Sequence, residues 1–363
     1  FKQRFDFQYR LLPVWKMDKF NPFEKGGKCY GGAMFENEYK EELDKILGKE
    51  LPECGVVIFG KFRFEKLPPE VRTKFLDHVK SGAVLFLLAD KFADQNVSGM
   101  KFSPVRIDFP SDSVPLLKGV KVEAADLGKG KIVKIVYPGF NYNTHMSLVV
   151  ENLAPFESDD PLWYDYYFAF LGKCVWTFTQ PERLTIVKVS GDGSVELKNE
   201  PPAGSKFLWE AADKFGNVIF KKETQGKKHA KIELPALPAS ARMLDVKLAD
   251  AGGKILDYQS APIPASSETV SVTLPKDGFA PDEVISGTVA APAGTRTELA
   301  LTDDGNRLLW KKELPNGSGT FSAKILYSKS KFAVLTVKAF RGERLVDEAR
   351  EYIYFDTTRK VDD

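Results

Sequence analysis

From residue 36 onward the apolar positions switch between two periods. In "ENEYKEELDKILGKEL" (36–51) Leu43, Ile46 and Leu47 share one helical face, with Gly48 loosening its end. "GVVIFG" (55–60) and "AVLFLLA" (83–89) are unbroken apolar runs between polar flanks, the pattern of strands buried on both faces of a parallel sheet. Between them "PPEVRTKFLDHVKSG" (68–82) starts on Pro68-Pro69, carries a stripe of Val71, Phe75, Leu76 and Val79, and ends on Gly82, which predicts a helix. "FQYRLLPVW" (7–15) reads as an earlier strand. Strands alternating with helices through short connections predict right-handed crossovers and a three-layer α/β domain on a parallel sheet. "GVKVEAADLGKGKIVKIVYP" (119–138) predicts a hairpin turning at Gly128-Lys129-Gly130. "PLWYDYYFAFLGKCVWTF" (161–178) predicts a closing helix whose one wide apolar face holds Leu162, Trp163, Tyr166, Tyr167, Phe170, Leu171, Cys174, Val175 and Phe178.

At Pro181 the period becomes two. Alternating strands are separated by Asp192-Gly193, Phe215-Gly216-Asn217, Gly252-Gly253, Asp304-Gly305-Asn306 and Asn316-Gly317, and no helix is predicted. "APIPASSETV" splits this region. "KFLWEAADKFGNVIFKKE" and "TELALTDDGNRLLWKKEL" repeat a strand, turn, charged-strand pattern, each with a tryptophan, which predicts two tandem β-sandwiches of immunoglobulin-like type. The expected division is 1–180 for the α/β domain, 181–265 for the first sandwich and 266–363 for the second.

The totals narrow the partners. A chain of 363 residues, 43% of them apolar, fits two or three domains. Fifty-two basic and fifty acidic residues, interspersed, leave a formal charge of +2 and no nucleic-acid footprint or polybasic anchor. No apolar run reaches transmembrane length. Phe1 opens no leader, so the chain reads as a processed or excised piece. Cys29, Cys54 and Cys174 form no CxxC pair and no disulfide framework; Cys54 and Cys174 are expected to be buried, Cys29 exposed.

The residues with chemistry are few. Asp90 and Lys91 end an expected parallel strand, where a ligand crevice forms, and also suit a solvated loop start. His145, in "PGFNYNTHMSLV" with Tyr142, lies in a ligand-type loop on the same side, with ordinary loop hydrogen bonding as the alternative. "FESDDPLWYDYY" sets Glu157, Asp159, Asp160 and Asp165 beside Trp163, Tyr164, Tyr166 and Tyr167, a mixture that grips sugars and equally an N-terminus favoured by the helix dipole. His78 falls on a buried stripe and His229 on a charged strand. "LGKGK" lacks the spacing of a phosphate loop, and "TDDGNR" lacks the spaced ligands of a calcium loop. Asn96-Val97-Ser98 and Asn316-Gly317-Ser318 fit the glycosylation pattern, which arises often by chance.

Residues 36–180, through "CGVVIFGKF", "LPPEVRTKFLDHVKSGAVLFLLA", "LGKGKIVKIVYP" and "YYFAFLGKCVWTF", resemble the glutamine-amidotransferase-like, flavodoxin-like domains of multidomain bacterial proteins. The resemblance extends to the trimerisation domain of family 42 β-galactosidases, which carries no chemistry. Catalytic members place a Gly-x-Cys-x-Gly elbow after the strand matching 83–89; here Leu88-Ala89-Asp90-Lys91-Phe92-Ala93 has neither cysteine nor glycines. Residues 182–356 are similar to immunoglobulin-like and macroglobulin-like modules of envelope or secreted bacterial proteins, through "LPALPASARMLDVKLADAGGKILDYQSAPIPA" and "LPKDGFAPDEVISGTVAAP", with Asp282 where those modules often have glycine. These resemblances imply a non-catalytic, extracytoplasmic scaffold or carbohydrate-contacting part of a larger protein. It would need no cofactor and no metal, and would partner other domains, a second copy or sugar. Two alternatives stand: a carbohydrate or amide hydrolase using Asp90, His145 or Glu157, with Lys91, Tyr142, Asp160, Trp163 and Tyr164 as ligand contacts, and an adhesin-like spacer.

Overall fold

The computed structural model describes residues 45–59, 64–67, 69–90, 96–114, 117–137, 162–276, 278–280, 283–324 and 332–355. These residues form a largely β protein of several sheets. The first sheet contains β1 (Val56–Phe59), β2 (Val84–Asp90), β3 (Ser103–Pro104), β4 (Lys121–Leu127) and β5 (Gly130–Tyr137) in the order β1-β2-β5-β4-β3. The β1, β2 and β5 strands run parallel, β4 is antiparallel to β5, and β3 is antiparallel to β4. The expected parallel sheet is therefore a mixed one. The cause is local: a two-residue turn between β4 and β5 can only join antiparallel neighbours. Of the expected helix over 36–51, residues 36–44 lie outside the described residues, and the rest forms a π-helical turn (Ile46–Glu50) and a 3-10 turn (Leu51–Glu53), where Gly48 and Pro52 weaken regular hydrogen bonding.

Helix α1 (Pro69–Ser81) begins on its proline and buries Val71, Phe75 and Val79 with Leu85, Leu87 and Ile132 on one face of the sheet. It ends where Gly82 takes φ +132° and its amide donates to the Val79 carbonyl. The opposite face, with Phe86, Leu88, Val133, Ile135 and Tyr137, packs against helix α2 (Leu162–Thr179), which Pro181 ends. Alternation along β2 and β5 thus assigns the two helices to opposite faces.

"LGKGK" owes its glycines to α1. The Lys129 amide donates to the Lys80 carbonyl at 3.0 Å, satisfying a free helix C-terminal oxygen. A Cβ on Gly130 would lie 2.1 Å from the Ala83 oxygen and 2.2 Å from the Val79 oxygen.

After Gln180 come β6 (Ile186–Ser190), β7 (Ser194–Leu197), β8 (Lys206–Asp213), β9 (Val218–Gln225), β10 (His229–Lys231), β11 (Ala241–Ala249) and β12 (Ile255–Pro262). They form sheets β10-β7-β6 and β12-β11-β8-β9, which enclose Ile186, Val195, Leu197, Phe207, Trp209, Leu244, Val246 and Leu248. There follow β13 (Ser271–Thr273), β14 (Gly278–Phe279), β15 (Val284–Ala290), β16 (Arg296–Asp303), β17 (Leu308–Leu314), β18 (Gly319–Lys324), β19 (Phe332–Arg341) and β20 (Arg344–Phe355). They form sheets β13-β15-β18 and β14-β20-β19-β16-β17 around a second core of their own. All five turn pairs read from the sequence join successive strands.

The two sandwiches repeat one strand order, with β14 added in the second, and the register shows what repeats. Asp213 at the end of β8 accepts from the Phe215 and Asn217 amides; Asp303 at the end of β16 accepts from those of Gly305 and Arg307. Gly216 and Asn306 then take positive φ at the same place in the turn. This alignment pairs Phe220 with Trp310. The tryptophan that each unit carries is not at an equivalent position: Trp209 lies on β8 before the turn and Trp310 on β17 after it. The strands after the turn, β9 and β17, are sheet edges that expose Lys221-Lys222 and Lys311-Lys312.

Gly130→Ala should lower stability by at least about 2 kcal/mol, because backbone oxygens block the new methyl. Gly48→Ala, with open space around it, should stay within about 1 kcal/mol of the parent. Urea unfolding followed by tryptophan fluorescence distinguishes the two.

Candidate functional site

The most elaborate polar constellation among the described residues lies between α2 and the first sandwich. The expectation of one apolar face on α2 is corrected here. Besides Tyr167, Phe170, Leu171 and Cys174 against the sheet, a second stripe of Tyr166, Ala169, Lys173 and Trp176, spaced i, i+3, i+7, i+10, meets β11 and β12. Ala212 and Met243 of the sandwich belong to the same apolar cluster as α2, so one core runs through both.

Lys173 is at the centre, 2% exposed, with its Nζ donating to Asp257 Oδ1 at 2.6 Å and to the Tyr258 carbonyl at 2.5 Å. Asp257 is fully buried. Its Oδ2 accepts from the Thr185 and Ile186 amides at 2.7 and 2.8 Å, and its Oδ1 also accepts from the Tyr258 amide. One carboxylate therefore joins the helix, the first strand of the sandwich and the last. Burial pushes the Lys173 ammonium below the usual lysine range, against the pull of Asp257 and Asp108.

Around this pair, the Tyr258 hydroxyl donates to the Ala169 carbonyl, and Gln259 Nε2 donates to the Asp108 carbonyl. The Trp176 ring lies 5.0 Å from that of Tyr258, with the Arg183 guanidinium 4.1 Å from its centre. Arg183 also donates to the Ile255 carbonyl. A second carboxylate, Asp245, is only partly buried as a residue, but the Tyr166 and Ser260 hydroxyls close over it at 2.9 and 2.6 Å. Burial raises its pKa to about 6 despite those donors. Burial likewise pushes the Cys174 thiol well above the ordinary range, so this cysteine packs rather than reacts, as expected.

The residues singled out from sequence are placed elsewhere. Asp90 ends β2, in the middle of the sheet and in register with Tyr137 at the end of β5. Its side chain lies outside the described residues, as do Lys91, Tyr142, His145, Glu157, Asp159, Asp160 and Cys29. Trp163 and Tyr164 stand in the first turn of α2, their side chains also outside the described set. His78 is a boundary residue whose Nε2 donates to the Cys54 carbonyl at 2.7 Å, and His229 is exposed on β10. Cys54, expected to be buried, is half-buried, because it ends a 3-10 turn before the strand begins. Shallow depressions on β6, β7 and β10, lined by Asp192, His229 and Lys231, lie on a different sheet from Asp90. Among the described residues no three His, Cys, Asp or Glu side chains gather as metal ligands, and no helix is long and apolar enough to cross a membrane.

Sequence reasoning missed Lys173, Asp245 and Asp257, although each left a signal. Lys173 is the one basic residue in an eighteen-residue apolar helix, and the two aspartates interrupt "ARMLDVKLA" and "ILDYQSAP". A charge at a position that the period of its helix or strand turns inward calls for a buried partner.

The sequence matches no described protein family and no curated protein. Among solved structures, a superoxide reductase (neelaredoxin) from Ignicoccus hospitalis is similar at 18% identity over 24% of this chain and 80% of that one, with a TM-score of 0.20. The BSP domain of a biofilm-associated protein is similar at 12% identity over 48% of this chain and 30% of that one, TM-score 0.18. A Ruminococcus gnavus beta-glucuronidase in complex with uronic isofagomine is similar at 14% identity over 45% and 35%, TM-score 0.21. Likenesses this shallow carry no functional information.

Lys173→Met should cost about 3–5 kcal/mol by stranding a buried carboxylate. Adding Asp257→Asn, which keeps an acceptor for the strand amides, should recover part of that loss, as a double-mutant cycle in urea would measure. Asp245 gives a pH signature. With a folded pKa of about 6 against an ordinary 3.8, folding favours its protonated form. That contribution, at most about 3 kcal/mol, is complete below about pH 4 and is lost as pH rises through 6. Asp245→Asn should flatten this part of the stability profile and be more stable than the parent at pH 7.5.

Proposed function

We propose that the chain is a non-catalytic scaffold within a larger envelope or secreted protein. In this reading an amidotransferase-like α/β domain (1–180) is fixed to an immunoglobulin-like sandwich (181–265) and followed by a second (266–363), so that neighbouring domains, a second copy or carbohydrate are held at set positions. The carrying observation is the junction, where Lys173 and Asp257 are almost wholly buried in a core that continues from helix to sandwich. Such an arrangement transmits position from one unit to the next. The amidotransferase-like assignment is supported by three parallel strands with a helix against each face, and the immunoglobulin-like one by the strand order common to the two sandwiches. The extracytoplasmic setting rests on the sequence resemblance alone.

The hydrolase reading keeps one observation in its favour: Asp90 stands at the carboxyl end of a central parallel strand, where open α/β sheets bind ligands.

The two readings part in an activity screen. The scaffold reading expects the purified chain to hydrolyse nitrophenyl glycosides and amino-acid nitroanilides at the rate of buffer alone. Turnover that disappears in Asp90→Asn or His145→Ala would replace it with the hydrolase. Small-angle scattering supplies a positive test: the parent should scatter as a fixed α/β–sandwich pair, and Lys173→Met should broaden its distance distribution.

A further inference from the structure

The two sandwiches contain the same row of residues with different contents. In the first, Asp257 of β12 is opposite Leu248 of β11, which is opposite Phe207 of β8. In the second, Asp347 of β20 is opposite Ala339 of β19, which is opposite Thr297 of β16. The rows correspond residue by residue, because the alignment through Asp213 and Asp303 pairs Phe207 with Thr297. The carboxylates also do the same local work: Oδ2 of Asp257 accepts from the amides opening β6, and Oδ2 of Asp347 accepts from the Val270 amide just before β13.

They differ at the other oxygen. Oδ1 of Asp257 receives Lys173, whereas Oδ1 of Asp347 has no hydrogen-bond partner among the described residues, although the residue is 2% exposed. In the same row the Thr297 hydroxyl is also without a partner, at 0% exposure. The bulk that fills the first row, a phenyl and an isobutyl group, is reduced in the second to a threonine and an alanine methyl. Two buried polar oxygens therefore flank a small side chain at the end of an otherwise apolar core.

We propose that the second sandwich binds an internal water molecule above Ala339, donating to Asp347 Oδ1 and hydrogen-bonded to Thr297 Oγ1. Residues two strands apart are about 9–10 Å apart at Cα, which is beyond a direct carboxylate–hydroxyl bond and suits one bridging water. Buried polar groups are almost always satisfied, and a water needs only a few polar partners and about its own volume. A metal ion would ask for six or more oxygens where the row supplies two. The first sandwich thus uses its carboxylate to hold a neighbour, and the second uses the equivalent one to hold solvent.

The test uses the intact chain. A crystal structure at high resolution should show one water within hydrogen-bond distance of both oxygens. Density for an ion with five or more oxygen ligands, an empty gap, or a direct protein donor on Asp347 Oδ1 would overturn the proposal. Thr297→Val separates the cases independently by calorimetry. Removing a bridged hydroxyl should lower the melting temperature of the second sandwich by about 2–4 °C, whereas removing an unsatisfied one would leave it unchanged or raise it. Ala339→Leu, which copies Leu248, should displace the water from the density; retention of the water beside the leucine would also count against the assignment.

Discussion

The ion pair between Lys173 and Asp257 is the contact on which the arrangement of the chain depends. Burying two charges costs several kcal/mol each before any attraction is counted, and the cost is tolerated only when the remaining hydrogen-bonding capacity is filled. Here it is filled. The carboxylate receives the ammonium and three backbone amides, and the ammonium has a second acceptor in the Tyr258 carbonyl. An apolar substitute would bury as well, but it would not decide which face of α2 meets which edge of the sandwich. Tyr166, Tyr258 and Gln259 then align along the same contact with hydrogen bonds of their own.

The contact between the two sandwiches is of another kind. The Ala239 amide donates to the Val346 carbonyl, and the Arg350 guanidinium lies 4.0 Å from the Phe215 ring. The two sandwich cores are separate apolar clusters. In both contacts the preceding unit meets the last strand of the following sandwich, β12 in one case and β20 in the other. The docking strand is equivalent in the two cases and the contact differs, a buried charge in one and a stacked cation in the other.

Much of the fold was legible in the sequence because it is set by local rules. The period of two after Pro181, the glycine and asparagine turns, the α1 stripe and the hairpin at Gly128-Lys129 depend on residues near one another, and they stand as read. The mixed sheet was less legible, since the apolar runs of β2 and β5 look alike whatever the direction of their neighbours. The second face of α2 was hidden for a related reason: Ala169 and Lys173 acquire meaning only against strands more than seventy residues later. Of the candidate site, the titratable loop residues attracted notice, whereas the constellation that formed is made of charges set within helix and strand elements. The Asp213 and Asp303 turn caps were visible only as turn residues until the register showed them to be equivalent.

The distance in sequence between Lys173 and its partner also bears on the order of folding during synthesis. Eighty-four residues separate the lysine from Asp257, and Asp257 in turn lies 72 beyond the Thr185 amide that it accepts. At elongation rates of 5–20 residues per second, roughly 4–17 s pass between the two syntheses. Throughout that interval α2 has Tyr166, Lys173 and Trp176 without the strands that cover them. The helix therefore cannot bury this stripe before the sandwich strands exist. Its second stripe reaches its final surroundings only once the last strand of the sandwich has been made.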